Sequence, residues 1–133
     1  MYKKCLTLID TSIILLIAYN EASLDNFIEA TMGCEVVVLS SVIDELNRLK
    51  DLQDNRSKKA LWALNNIVNN FTVVHIDSTG NVDQDLINFA LNKIKEFKVF
   101  IATVDSDLKN KALLKGIGVI FYRKSKNKFE VIP

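Results

Sequence analysis

Short apolar runs with almost no polar interruption recur along the chain, at 4–9, 35–39, 71–76, 99–104 and 117–122. Each is rich in β-branched or aromatic residues and too short for a core helix, which is the pattern of a strand covered on both faces. Between these runs the apolar positions spread to intervals of three and four, the helical spacing. That spacing predicts helices over 13–19, 23–32, from Ser40 to about Leu52, 58–69, 83–96 and 105–115. Ser40 and Ser41 offer capping hydroxyls at the start of the third helix, and Gly33 and Gly116 end the second and the last. The polar stretch 51–59 reads as a helix-to-helix connection, 78–81 as a loop, and 123–128 as a basic turn that lets 129–132 pair back as an edge hairpin. Strands alternating with helices predict a central parallel sheet with helices on both sides. The expected fold is α/β, a three-layer α/β/α sandwich forming a single domain over residues 1–133.

Composition narrows this picture without changing it. With 49% apolar residues in 133, the chain is long enough to bury a core, and four glycines and one proline leave little material for a linker. A formal net charge of +1 excludes a global polycation, so any nucleic-acid contact must come from a local patch. Cys5 and Cys34 lie in or beside apolar stretches and read as buried free thiols of a reducing compartment. The apolar run 13–18 is too short to span a bilayer and lacks a cleavage-site pattern, so the expected location is the cytoplasm.

The acids hold the candidate chemistry. The run at 99–104 ends in Asp105, Ser106 and Asp107, and the run at 4–9 ends in Asp10, Thr11 and Ser12. In open α/β sheets the rim where strands end collects ligands. At about 100° per residue, Glu45 falls inside the apolar stripe of Val42, Leu46, Leu49 and Leu52, while Asp44 points away beside Arg48 and Asp51. An acid on a buried face is costly unless neutralised, paired or metal-bound. Asp83 falls on the core face with Leu86, Ile87, Ala90 and Ile94, and the same phase sends Asp85 to the opposite side.

Taken one at a time, these residues have ordinary explanations. Asp10 and Asp105 suit helix N-caps, Asp83 suits a first turn, and Asp107 reads as a solvated first-turn acid. Thr11, Ser12 and Thr103 suit local hydrogen bonding. His75 has no partner cluster, and Trp62 and Phe71 read as core. Joint occurrence changes the balance. Asp10, Glu45, Asp83 and Asp105 all fall on one edge of a parallel sheet, where they would repel unless divalent cations sat among them. Oxygen ligands without His or Cys suit Mg²⁺ or Mn²⁺, not zinc.

Four segments together, Leu8-Ile-Asp10-Thr-Ser12, Leu39-Ser-Ser-Val-Ile-Asp-Glu45-Leu, Asp83-Gln-Asp-Leu-Ile-Asn-Phe-Ala90 and Ile101-Ala-Thr-Val-Asp105-Ser-Asp107-Leu, resemble the PIN-domain nucleases over essentially the whole chain. The run from Ala102 to Lys109, the strand after it and the basic hairpin look most like archaeal PIN proteins. Those are akin to the PIN nuclease of the small-ribosomal-subunit processome, and VapC-type toxins share the core. The resemblance implies endonucleolytic hydrolysis of single-stranded RNA that depends on Mg²⁺ or Mn²⁺, with a 5′ phosphate as product. Asp10, Glu45, Asp83 and Asp105 match the acidic tetrad, Asp107 a further metal position, and Thr103 with Thr11 or Ser12 the supporting hydroxyls. Lys109, Lys111, Arg123 and Lys124 are the expected phosphate contacts. RNA processing and a toxin–antitoxin role both remain open, with an antitoxin or a ribosome-processing assembly as the corresponding partner and a homodimer as a further expectation. The alternative is a PIN fold that binds RNA or protein with weak or no cleavage. A haloacid-dehalogenase-like phosphatase needs a second Asp where Ser12 stands, and a receiver domain needs an Asp where Ser40 stands; neither fits.

Overall fold

A computed structural model describes residues 4–133. The continuous apolar runs become strands β1 (Cys5–Ile9), β2 (Glu35–Leu39), β3 (Thr72–Val74), β4 (Lys98–Thr103) and β5 (Gly118–Arg123), and β6 (Lys128–Ile132) follows the basic turn. They form one sheet in the order β3-β2-β1-β4-β5-β6. The first five strands are parallel and β6 runs antiparallel to β5, with Phe121 opposite Glu130. The helices are α1 (Thr11–Ala18), α2 (Leu24–Ala30), α3 (Ser40–Lys50), α4 (Asn55–Asn66), α5 (Val82–Lys93) and α6 (Ser106–Leu114).

The alternation of strand side chains divides the core into two layers. Ile9, Val36, Val38, Phe100, Ala102, Ile120 and Tyr122 pack on one side against α1 to α4, through residues such as Ile13, Phe27, Val42, Leu46, Ala63 and Ile67. Leu8, Val37, Leu39, Val99, Ile101, Val119 and Phe121 pack on the other against Leu86, Ile87 and Ala90 of α5 and Leu108 and Ala112 of α6. An aromatic cluster anchors the antiparallel edge: Phe129 lies 4.9 Å from Tyr122 and 5.6 Å from Phe27. Gly118 is required where it stands, because a Cβ there would come within 2.7 Å of the Phe100 ring.

Several sequence expectations need correction. Cys5 and Cys34 are not free thiols; they form a disulfide with their Cα atoms 4.9 Å apart. The β1–β2 register pairs Leu6 with Glu35, which sets the two cysteines side by side where the strands begin. The argument for a reducing compartment therefore loses its support. Trp62 is not core: α4 turns Ala60, Ala63 and Ile67 inward and leaves the indole 46% exposed. That helix starts three residues earlier than its apolar spacing suggests, because the Asp54 carboxylate accepts a hydrogen bond from the Arg56 amide and caps it. Neither serine at the start of α3 caps it; the Ser40 hydroxyl instead accepts a hydrogen bond from the Ile76 amide. Strand β3 is limited to three residues at the sheet edge.

Candidate active site

Strand order reverses direction at the centre of the sheet: the chain moves from β1 outward through β2 and β3, then returns to β4 on the other side of β1. That reversal places a crevice at the C-terminal ends of β1 and β4, and the sequence delivers Asp10 and Thr103 to its floor. The Asp10 amide donates to the Ala102 carbonyl at 3.0 Å, carrying the β1–β4 pairing one residue past the strand. Its side chain is buried, at 6% exposure. Asp10 stands at the N-cap position of α1 yet makes no side-chain cap. Its Oδ2 accepts from Ser12 Oγ at 2.7 Å and Thr103 Oγ1 at 2.8 Å, and among the described residues no donor meets Oδ1. Burial drives its pKa up to about 6; the two hydroxyls oppose this, and the charges of Asp83 and Glu45 add to the rise.

The hydroxyls have second partners that knit β1 to β4. Ser12 Oγ accepts from the Val104 amide at 3.3 Å, and Thr103 Oγ1 accepts from the Asp105 amide at 3.0 Å. Thr11 takes no part, since its hydroxyl is buried without a hydrogen-bond partner among the described residues. Asp105 caps α6, accepting from the Asp107 amide at 2.8 Å. Asp105 and Asp107 are exposed, Glu45 and Asp83 half-buried, and Asp44 exposed, as helical phase predicts. Burial raises the pKa of Asp83, the charges of Asp105, Glu45 and Asp107 raise it further, and Lys111 opposes them. These influences bring Asp10, Glu45, Asp83 and Asp105 within electrostatic reach of one another near the C-terminal ends of β1 and β4, with Lys111 a cation that opposes the acids at Asp83.

The other expected phosphate contacts lie outward. Lys109 lays its ammonium over the Phe121 ring at 4.6 Å. Arg123 pairs with Glu130 at the end of β5, and Lys124 is exposed in the turn that follows. Both sit at the same sheet edge as the acids, because β5 is parallel to β4.

No family model matches the chain. It is 32% identical over 123 residues to Ribonuclease VapC4 of Methanocaldococcus jannaschii, an alignment covering 88% of this chain and 89% of that protein. The chain belongs to the PIN-domain nuclease family. The PIN fold is shared with the solved PIN domain endonuclease Utp24, at a TM-score of 0.70 and 18% identity, covering 95% of this chain and 90% of that one. A domain of a functionally unknown protein from Methanocaldococcus jannaschii has the same fold, at a TM-score of 0.61 and 15% identity, over 89% and 91% of the two chains.

The donors around this PIN-domain crevice are carboxylate and hydroxyl oxygens, with no imidazole or thiolate among them, and that chemistry fits Mg²⁺ or Mn²⁺. Among the described residues, no three carboxylate, imidazole or thiolate side chains are gathered tightly enough to grip one ion. Asp85 lies on the opposite side of α5 from Asp83, as helical phase predicts, yet that side is covered: Asp85 is 2% exposed and accepts hydrogen bonds from Ser78 Oγ, the Thr79 amide and Thr79 Oγ1. Helical phase locates the sheet but is blind to a loop folding over the helix's other side. The available signal was the preceding Ser78-Thr79-Gly80-Asn81, four residues suited to side-chain turns.

Proposed function

We propose that this PIN domain is an endoribonuclease that cleaves single-stranded RNA and depends on Mg²⁺ or Mn²⁺. What supports the reading is that the charges of Asp83 and Glu45 act on Asp10, and those of Asp105, Glu45 and Asp107 act on Asp83, so that acids from four separate segments lie within electrostatic reach of one another. The ribonuclease name of the 32%-identical relative supports RNA as the substrate. In this reading Asp10, Glu45, Asp83 and Asp105, with Asp107 at the rim, would hold the cation once drawn closer together than they stand here. When bound, the cation supplies activated water and neutralises charge developing on the scissile phosphate. Ser12 and Thr103 donate to Asp10 Oδ2 and fix the orientation of its carboxylate. Lys111, beside the acids, steadies the phosphate backbone, and Lys109, Arg123 and Lys124 extend its track along the edge.

The deciding experiment is cleavage of end-labelled single-stranded RNA with and without Mn²⁺. Wild type is expected to cut only with metal, and Asp83→Asn to lose cutting while melting as a folded protein. Equal cutting by Asp83→Asn would remove that residue from the site. Binding of RNA without cleavage in any metal would instead support the reading of a PIN fold that binds only. Growth arrest on expression, relieved by a small partner encoded next door, would favour a toxin role over RNA processing.

A further inference from the structure

The connection between β3 and α5, residues 75–81, has no regular structure, and it leads directly into the first turn of α5, which carries Asp83. Its attachments are side-chain hydrogen bonds. Asn81 Oδ1 accepts from the Gln84 amide at 2.9 Å and starts the helix. At the other end, the Ile76 amide donates to Ser40 Oγ at 3.0 Å, fixing the loop to the start of α3. Between them is Asp85. Its Oδ2 accepts from Ser78 Oγ at 2.6 Å, and its Oδ1 accepts from the Thr79 amide and Thr79 Oγ1, both at 2.8 Å. Ser41 of α3, whose buried hydroxyl makes no hydrogen bond among the described residues, lies near enough to the same carboxylate to favour its charged form. A cleft of about 210 Å³, lined by Ser41, Asp44, Arg48, Ser78, Gly80 and Val82, separates α3 from the loop.

Asp83 and Asp85 lie on nearly opposite sides of the first turn of α5, at about 200° apart. One faces the acidic crevice and the other faces the loop. Glu45 stands one turn beyond Ser41 on α3. We propose that Asp85 is a positioning residue: by fastening residues 78 and 79 to the start of α5 beside Ser41, it sets where Asp83 stands relative to Glu45. Its link to cleavage rests on the nuclease reading above. Partners that orient ligands from behind typically alter metal affinity by about tenfold or more when removed.

The test compares wild type, Asp85→Ala and Asp85→Asn. Asp85→Ala is expected to accelerate amide hydrogen exchange over residues 78–84 while exchange in β4 and β5 stays at wild-type rates. It should also weaken Mn²⁺ binding, measured by calorimetry, by about tenfold. In RNA cleavage at subsaturating Mn²⁺ it should lower kcat and leave KM for RNA within about twofold. Asp85→Asn keeps an acceptor for Thr79 and should recover most of the Mn²⁺ affinity. Wild-type exchange over 78–84 in Asp85→Ala, or wild-type Mn²⁺ affinity despite faster exchange, overturns the proposal. If Asp85→Ala does not fold, Ser78→Ala takes its place under the same two readouts, and Asp85→Asn is still expected to stay near wild type. If wild type itself neither binds Mn²⁺ nor cuts RNA, the nuclease reading falls, and the exchange data still decide whether Asp85 anchors α5.

Discussion

Asp10 shows how a single carboxylate separates capping from chemistry. Asp10 and Asp105 both precede a helix, yet only Asp105 spends its side chain on the cap. Asp10 is instead buried, held by Ser12 and Thr103, with a pKa near 6 against an ordinary 3.8. The native state therefore binds a proton more readily than the unfolded chain between about pH 4 and pH 6, so stability falls as pH rises through that window. At about 1.4 kcal/mol per unit, ionised Asp10 costs about 3 kcal/mol at neutral pH. Asp83 shifts in the same direction, while Asp85, its pKa lowered mainly by Ser78 and Thr79 against the opposing effect of burial, contributes the other way. Asp10→Asn keeps an acceptor for both hydroxyls and removes the charge. In EDTA it should melt above wild type at pH 7, with the gap closing toward pH 4. Coincident melting curves across pH 4–7.5 would show that the acids do not strain the fold.

At the level of elements, the disulfide carries the sharpest stability prediction. It joins β1 to β2 across a separation of 29 residues, and constraining a loop of that length is worth about 3.5 kcal/mol by loop-closure entropy. Cys34→Ser, or reduction with the thiols blocked, is expected to lower Tm by on the order of 10 °C, and an unchanged Tm would mean the strands are held by packing alone. This bridge was not readable from the chain, because neighbouring strand starts become visible only once register is known. The central strands were readable, since a parallel strand buried on both faces leaves an unbroken apolar run, as in Val99-Phe-Ile-Ala-Thr103. So was the inward turn of Glu45, which shares a helical stripe with Val42 and Leu46. What escaped were contacts made by polar side chains on loops: the Asp54 cap that lengthens α4, the Ser40 grip on Ile76, and the clamp on Asp85. Periodicity records which face meets the core and carries no information about hydrogen bonds from the opposite side.

For the whole molecule, the question the proposed function raises is how a chain of net charge +1 would hold a polyanion beside four carboxylates. Its charges must be sorted by position. The parallel sheet sends the acids to the crevice at the ends of β1 and β4, and the same edge receives the basic residues that follow β4 and β5. Lys109 and Arg123 both lie over the Phe121 ring, at 4.6 and 6.0 Å from its centre, and the charge of Lys111 acts on Asp83. If Lys109, Lys111, Arg123 and Lys124 each meet a phosphate, counterion release sets the salt dependence. The slope of log affinity against log salt should be about −0.7 per contact, or about −3 for four. Charge reversal at Lys111 and Lys124 together should flatten that slope by more than one unit, while reversing Lys58 on the exposed face of α4 should leave it unchanged. Binding measured by fluorescence anisotropy between about 50 and 300 mM salt, over which a slope of about −3 changes affinity about 200-fold, distinguishes the outcomes. A slope near zero, or equal flattening by Lys58, would move the RNA track off this edge of the sheet.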